Sequence, residues 1–468
     1  MKDFESTVSA IRGAGQFFAA DRPVYISRAP GRLDLMGGNV DYTGGVVFQS
    51  TIREATWAAA QLRSDETIVF WNPQMEEERW SERVEFQLSA LTGEEAVRQL
   101  VSGDPRVIWT SYVLGAFYLL RSRYPQKITS GAGIYIQSDV PLNKGVSSSA
   151  AVEVAVMKAA AACYGIVLGG VELAEACQWV ENVIAGSACG IMDQAASVLG
   201  DEGHVLPLLC QPCLPRKLVK LPAGLECWAV DSGVRHAVTG IEYEATRAAA
   251  FVGYRMICAW EGSPITMDAR SAIPRYTDPK WRGYLSNLTP SLFRSKYELR
   301  LPELLTGDEI LAQGEVHPDP FTVIRPGVTY RVKACVRYAV EENQRIQLFI
   351  DLARGAHQEP SVAVFREMGE LMYQSHWSYT ETGLGCEATY QLVDLVRKHG
   401  GEDLLFGAKV TGGGAGGTVA VLGSTHGADA FRKAVAEFAQ LRSFEPYVFQ
   451  GSSIGADAFG IRVLRESE

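Results

Sequence analysis

Four stretches of this 468-residue chain bring together residue types that do chemistry. Residues 141–156, PLNKGVSSSAAVEVAV, set Gly145, Ser147, Ser148 and Ser149 directly before a strong helix former. The unpaired N–H groups and the dipole at such a helix start make a cradle for an anion such as phosphate. Its serines also offer a capping oxygen and contacts to phosphate or metal. The stretch lacks G-K-[ST], so a Walker-type P-loop is disfavoured. Residues 410–421, VTGGGAGGTVAV, place glycines at 412, 413, 414, 416 and 417, which permits positive φ and close approach of backbone to a ligand. Residues 28–45, RAPGRLDLMGGNVDYTGG, pack Arg32, Asp34, Asp41 and Tyr42 into a turn-rich loop of the kind that carries ligand sites. Residues 187–197, SACGIMDQAAS, set Asp193 among Ile191, Met192, Ala195 and Ala196. A carboxylate there needs a partner or a shifted pKa, and Arg32 is the natural candidate. Each stretch also has a plainer reading: a serine cap, a flexible hairpin, solvated turns and a capping aspartate.

Something must hold these loops. A strand pattern over RPVYISRAP ends at Pro30, and the loop follows it. VVFQSTI, ATWAAAQL, IVFWNP and GIYIQSDVP read as strands, and residues 107–124 as a helix with a charged end. Residues 147–164 are alanine-rich and stop at Gly165, which predicts a helix behind the serines. Residues 171–185 space Glu172, Glu175, Gln178 and Glu181 along one face of an amphipathic helix. After Pro222 a strand, LECWAVDSGV, opens the second half. Residues 262–330 read as an irregular helical lobe, and residues 361–399 as helix around a glycine break. The second glycine cluster lies between strands and precedes the helix AFRKAVAEFAQLR.

With 47% hydrophobic residues and 21% charged, the chain is neither disordered nor fibrous. Its net charge of −10 argues against a nucleic-acid partner, so any anion must meet local positive potential. The charged N-terminus is unlike a signal peptide, and Glu153 and Lys158 interrupt the most apolar long stretch, so neither a membrane partner nor export is expected. Nine scattered cysteines suggest reduced thiols and a cytoplasmic setting. Cys210 and Cys213 form a C-x-x-C without the second pair a zinc ribbon needs. The oligomeric state stays open, a monomer included.

Taken together and in this order, the loops resemble the three motifs of the GHMP kinase superfamily of small-molecule kinases. RAPGR…DY, GIMDQ and DSGVRH…EY at 231–243 are similar to its sugar-1-kinase branch, galactokinases included. DLMGGNVDYTGG, QSTIREA, KGVSSSAAVEVA, CQWVEN, CGIMDQAAS, CQP, DSGVRH and MYQSHWSYTETGLG, spread over nearly the whole chain, are similar to the kinase domain of L-arabinokinases. The resemblance implies an α+β fold. Residues 1–222 would form a domain related to ribosomal protein S5 domain 2, and residues 223–468 a ferredoxin-like domain carrying the lobe at about 262–330. It implies ATP as co-substrate, Mg²⁺ as cofactor and a monosaccharide phosphorylated at its anomeric hydroxyl.

The same resemblance assigns roles. Asp193 would accept the hydroxyl proton and Arg32 would orient Asp193 and stabilise negative charge. Asn39, Asp41, Tyr42, Gly190, Tyr243 and Gly413 would meet the sugar. Gly145, Val146, Ser147, Ser148, Ser149 and Ala150 would hold the phosphates, with Trp109 near the adenine. Ser149 and Glu181 would approach the metal. One departure bears on the substrate: Gly38-Asn39 stands where galactokinases carry Glu-His. Losing those side chains removes partners for the outer hydroxyls, that on C6 included, and unmatched polar groups are strongly discriminated. A pentose, L-arabinose above all, is therefore expected, with galactose or galacturonate as alternatives. A uronate would want a cation, and Arg28 and Arg53 are near in sequence. A non-catalytic sugar sensor is the reading from another class, but the serine loop, Arg32 and Asp193 are intact.

Overall fold

Strand β1, Val24–Met36, does not stop at Pro30; it continues through GRLDLM to the edge of the glycine turn. Two register shifts along its pairing with β2, one between Pro30 and Arg32, absorb the proline that would break a regular strand. The sequence pattern ends the strand early because proline and glycine are turn formers. Burial of every residue from Ala29 to Met36 overrides that preference. The structure, a computed structural model, describes residues 2–235, 240–268, 275–314 and 317–465. His236 of the DSGVRH segment and residues 269–274 and 315–316 of the lobe lie outside them.

Strand β2, Val46–Leu62, joins two stretches read separately in the sequence into one. Its first part pairs with β6 (His204–Leu209) and its second with β5 (Ala132–Ser138), while β1 runs along its other edge. Strands β3 (Thr67–Trp71) and β4 (Arg83–Gln87) extend the sheet beyond β5. At the opposite edge β11 (Arg462–Leu464) pairs with β1, so residues far downstream complete the first sheet. A second, antiparallel sheet has the order β8 (Leu405–Val410), β9 (Thr418–Ser424), β7 (Leu225–Asp231), β10 (Val448–Gln450).

Helices α2 (Ser148–Cys163) and α4 (Met192–Leu199) pack on the first sheet, and α1 (Ser111–Arg123) and α3 (Gly170–Trp179) pack against them. Alanine lets α2 lie close against β1 and β2, buried almost all round. Helices α7 (Val362–Tyr379), α8 (Glu387–Gly400) and α9 (Ala428–Arg442) pack on the second sheet. Two long helices, α5 (Ile241–Trp260) and α6 (Val332–Gln358), go unnoticed in the sequence. Their apolar residues serve several neighbours at once and leave no single clean stripe. The lobe between them is corrected: the described part is chiefly turns, two very short two-stranded sheets and short helical turns. Trp281, Leu285, Phe293 and Tyr297 anchor it in a core shared with α5 and α6.

Asp34 on β1 and Lys409 on β8 bolt the two sheets together. Their ion pair is 2.7 Å long and both side chains are fully buried. Gln49 donates to the other Asp34 oxygen at 2.6 Å, and the Asp34 N–H donates to the Thr411 hydroxyl. His376 accepts the Val410 N–H, and burial followed by the Lys409 charge lowers its pKa to about 4. Among the described residues no helix is long and apolar enough to cross a membrane.

Candidate active site

The serine loop is not a plain helix cap. Ser147 precedes α2 in the left-handed conformation (φ 60°), and its side chain caps nothing. Its buried hydroxyl has no partner, so both it and the open N–H groups of α2 remain available to a ligand. The turn is clamped from three sides. The Arg32 N–H donates to the Val146 carbonyl at 3.0 Å, the Thr418 hydroxyl to the Lys144 carbonyl at 2.7 Å, and Lys144 pairs with Asp231. The glycine cluster is a second wall, not a loose hairpin. A side chain on Gly412 (φ 69°) would come within 2.7 Å of the Gly145 carbonyl oxygen.

Arg32 joins this loop to the Asp193 segment. Its Nε and Nη2 donate to the two Asp193 oxygens at 2.8 and 3.1 Å, and Nη1 donates to the Gly145 carbonyl at 2.7 Å. Burial works against its charge, but Asp193, then Asp34 and Asp41, more than offset that, and its pKa is raised. Asp193 lies in the first turn of α4, where the helix dipole favours an anion, and its side chain is 20% exposed. It is not merely a cap: its oxygens are engaged by an arginine from another element.

Asp41 accepts the Tyr42 N–H at 2.9 Å and the Met192 N–H at 3.3 Å. Burial, and then the Asp193 charge, push its carboxyl up to about 6. Gly190 lies so close that an added Cβ would fall 1.9 Å from an Asp41 oxygen, so only glycine fits. Asn39, itself at φ 62°, donates to the Tyr379 hydroxyl at 2.9 Å, which in turn donates to the Gly412 carbonyl. Tyr243 packs edge-on against Tyr42, and burial raises its pKa well above the usual range.

Glu181 falls in a π-helical turn, Val180–Ile184, that continues α3. It is buried, not one of a solvated glutamate row, and burial followed by the Asp193 charge raises its pKa to about 7. Gln194 donates to Glu181 at 2.6 Å and to Glu153 at 3.2 Å. One oxygen of Glu153 is buried without a partner, and burial, then Glu181, hold its pKa well above the carboxylate range.

A single cavity of about 180 Å³ brings most of the sequence candidates together. Arg32, Gly145, Ser147, Ser148, Ser149, Glu181 and Asp193 line one part; Asn39, Asp41, Gly190, Tyr243 and Gly413 line the rest. Val146 and Ala150 are buried beneath the loop. Tyr42 lines a neighbouring cavity that shares Asp41 and Gly190. Trp109 lines neither; it is a core residue whose indole donates to the Ser81 carbonyl. Arg28 and Arg53 are also away from the cavity and hold residues 450–454. Tyr112, Asn143, Cys189 and Met192 line it without having been singled out. Asn143 (φ 58°) adjoins the serine loop and was the most findable, through its tolerance of left-handed turns.

Residues 111–201 match the GHMP kinases N terminal domain, residues 361–440 the GHMP kinases C terminal domain, and residues 15–62 a galactokinase galactose-binding signature. The chain is 34% identical to the L-arabinokinase of Arabidopsis thaliana over 98% of its own length, spanning about half (49%) of that longer protein. It is 30% identical to the galactokinase of Chloroflexus aurantiacus, covering 93% of each chain. Its fold matches Lactococcus lactis galactokinase, crystallised with galactose, at a TM-score of 0.74 and 21% identity over 97% of this chain and 98% of that one. The mevalonate kinase of Methanococcus jannaschii is more distant, at a TM-score of 0.54 and 16% identity over 92% and 98%.

Proposed function

Because this chain belongs to the GHMP kinase family, we propose that it is a sugar-1-kinase that moves the γ-phosphoryl group of ATP to the anomeric hydroxyl of L-arabinose. The observation that carries the chemistry is the Arg32–Asp193 fork, in one cavity with the serine loop and Asp41. Residues 1–222 supply that loop and those side chains, and residues 223–468 close the cleft with Tyr243 and Gly413.

The phosphates lie against the N–H groups of α2, with Ser147, Ser148 and Ser149 as hydroxyl partners. The sugar lies against Asp41, Gly190 and Tyr243, with its C1 hydroxyl toward Asp193. The C1 hydroxyl oxygen attacks the γ-phosphorus, the bond to the bridging oxygen breaks, ADP leaves, and the proton of that hydroxyl passes to Asp193. Phosphoryl transfer depends on alignment and charge neutralisation more than on covalent help. Arg32 supplies both, steering the Asp193 carboxylate and facing the developing charge.

No group of three or more His, Cys, Asp or Glu side chains suited to a metal occurs among the described residues. Mg²⁺ in kinases needs no such cage, since one or two carboxylates and the substrate phosphates suffice. Glu181 and Ser149 fit that smaller demand, and the unpartnered Ser147 hydroxyl lies in the same cavity. Bound there, Mg²⁺ would neutralise charge on the phosphates.

The preference for a pentose rests on Gly38-Asn39. A side chain on Gly38 would come within 2.9 Å of an Asp34 oxygen and 3.1 Å of the Gly412 carbonyl oxygen. Asn39 donates one amide N–H to Tyr379. Gly38 offers no side chain to a C6 hydroxyl, while the rest of the Asn39 amide stays open to a polar substituent. Galactose is the second reading, favoured by the galactose-binding signature over residues 15–62. ADP release on L-arabinose, D-galactose and D-galacturonate decides between them. The expected outcome is a kcat/KM for L-arabinose at least tenfold above the others. A large preference for galactose defeats the pentose assignment, and ATP binding without ADP from any sugar defeats the kinase.

A further inference from the structure

The floor of the sugar pocket is a segment with little structure of its own. Residues 185–191 connect the π-turn of Glu181 to the helix of Asp193; backbone bonds from Ala185 to Val180 and from Ala195 to Ile191 close its two ends, and between them Ser187 bonds to Glu181 and Cys189 to Ser187. Behind it lies a second cavity of about 110 Å³, which shares Asp41, Cys189 and Gly190 with the first. The wall between them is therefore one backbone thick, with room on its far side. Such a wall stays in register only if something holds it.

That something is Arg247. It lies one helical turn beyond Tyr243 on α5, hence on the same face. Its Nη1 donates to the carbonyls of Ala188 (2.8 Å) and Cys189 (3.1 Å), the residues just before Gly190. Its Nε and Nη2 fork onto both oxygens of Asp319 at 2.8 Å each. The two side chains are 5% and 1% exposed. The rings of Tyr42, Phe251 and Phe321 surround the guanidinium at 5.0, 5.8 and 5.5 Å. Thr322 donates to Asp319 at 2.7 Å. Four N–H groups are thus directed by a planar fork that a lysine cannot reproduce.

We infer that Arg247 and Asp319 are positioning residues for the sugar: the pair pins the Ala188–Cys189 backbone, sets Gly190 against Asp41, and so fixes the pocket floor. The inference rests on the sugar-kinase reading and gives the lobe a purpose. Asp319 and Phe321 are lobe residues that bear on the pocket floor through Arg247. A buried ion pair is poor evidence for stability, since desolvation offsets much of its attraction; holding a defined geometry is its better-attested use. Misplacing a binding wall by about an ångström costs on the order of a hundredfold in favourable cases.

The test uses Asp319→Asn and the milder Thr322→Val in the full chain, with two readouts. In D319N the KM for the best sugar should rise at least tenfold while the KM for ATP stays within twofold. T322V should move the same way by a smaller factor, and it carries the test if D319N does not fold. Amide exchange at 186–192 should quicken at least tenfold in D319N, with α2 unchanged. A sugar KM within twofold of wild type, or sugar and ATP KM rising together, overturns the positioning role. If the wild-type protein turns over no sugar, the kinase reading fails by itself. Unchanged exchange at 186–192 would then overturn the positioning role independently.

Discussion

Asp193 and Asp41 are both aspartates in one cavity, yet their surroundings give them different work. Asp193 is forked by Arg32 and partly open, suited to meet the reacting hydroxyl. Asp193→Asn keeps the shape but removes the proton acceptor, and its amide would face the arginine. Turnover should fall by about 10² to 10⁴, the usual range for a lost acid–base group, while the protein still folds. Single-turnover ADP release checks this, and near-normal activity would take Asp193 out of the mechanism. Asp41 is buried beside Asp193, and its pKa is raised from 3.8 to about 6. An acid whose folded pKa is raised binds more protons folded than unfolded, so its contribution to stability falls as pH rises between those values. At about 1.4 kcal/mol per pKa unit, the burden above pH 6 is of the order of 2–3 kcal/mol. Asp41→Asn should therefore gain stability over wild type on going from pH 4 to pH 8 while losing sugar affinity. Thermal melts at the two pH values check the sign, and an Asn variant whose advantage shrinks with pH would refute it.

At the level of elements, the site depends on backbone meeting backbone. Gly412 is at φ 69°, and its α-carbon faces the Gly145 carbonyl. Gly412→Ala adds left-handed strain of about 1–2 kcal/mol and pushes on the serine loop. The KM for ATP should rise at least tenfold, whereas an unchanged value would show that the two loops move independently. These loops were legible in the sequence because glycine, serine and an alanine-rich helix announce themselves locally. Helix α2 runs from Ser148 to Cys163, nearly the expected 147–164. Strand β1 beyond Pro30 was not legible, because only its pairing with β2 keeps it extended. Trp109, expected near the adenine, lies in the core outside the cavity, whereas Tyr112, three residues on, lines it. Which face of a short turn points inward depends on the packing of α1, and α1 gives little periodic signal. Arg247 and Asp319 were equally hidden, being 72 residues apart in the chain.

Across the whole molecule, the cavity needs two sheets in fixed relation, and Asp34–Lys409 is a fully buried ion pair that crosses between them. Removing one partner leaves the other charge buried and alone, at a cost of about 3–5 kcal/mol. Lys409→Ala should lower the urea midpoint accordingly, while Asp34→Leu combined with Lys409→Met should recover much of the loss. A single variant as stable as wild type would show that water reaches the pair. The net charge of −10 raised the question of where an anion could be held, and the local answer is α2 with Arg32, not a basic face.

The strand that carries Arg32 is itself completed by β11, which pairs Val24 with Leu464 and Ile26 with Arg462. Ribosomes add about 5–20 residues per second, so that edge of β1 waits roughly 20 to 90 seconds for its partner. During translation it is an open, apolar template of the kind that invites other nascent chains. Efficient production of this protein should accordingly depend on chaperones that shield the β1 edge until residues 462–464 have been made.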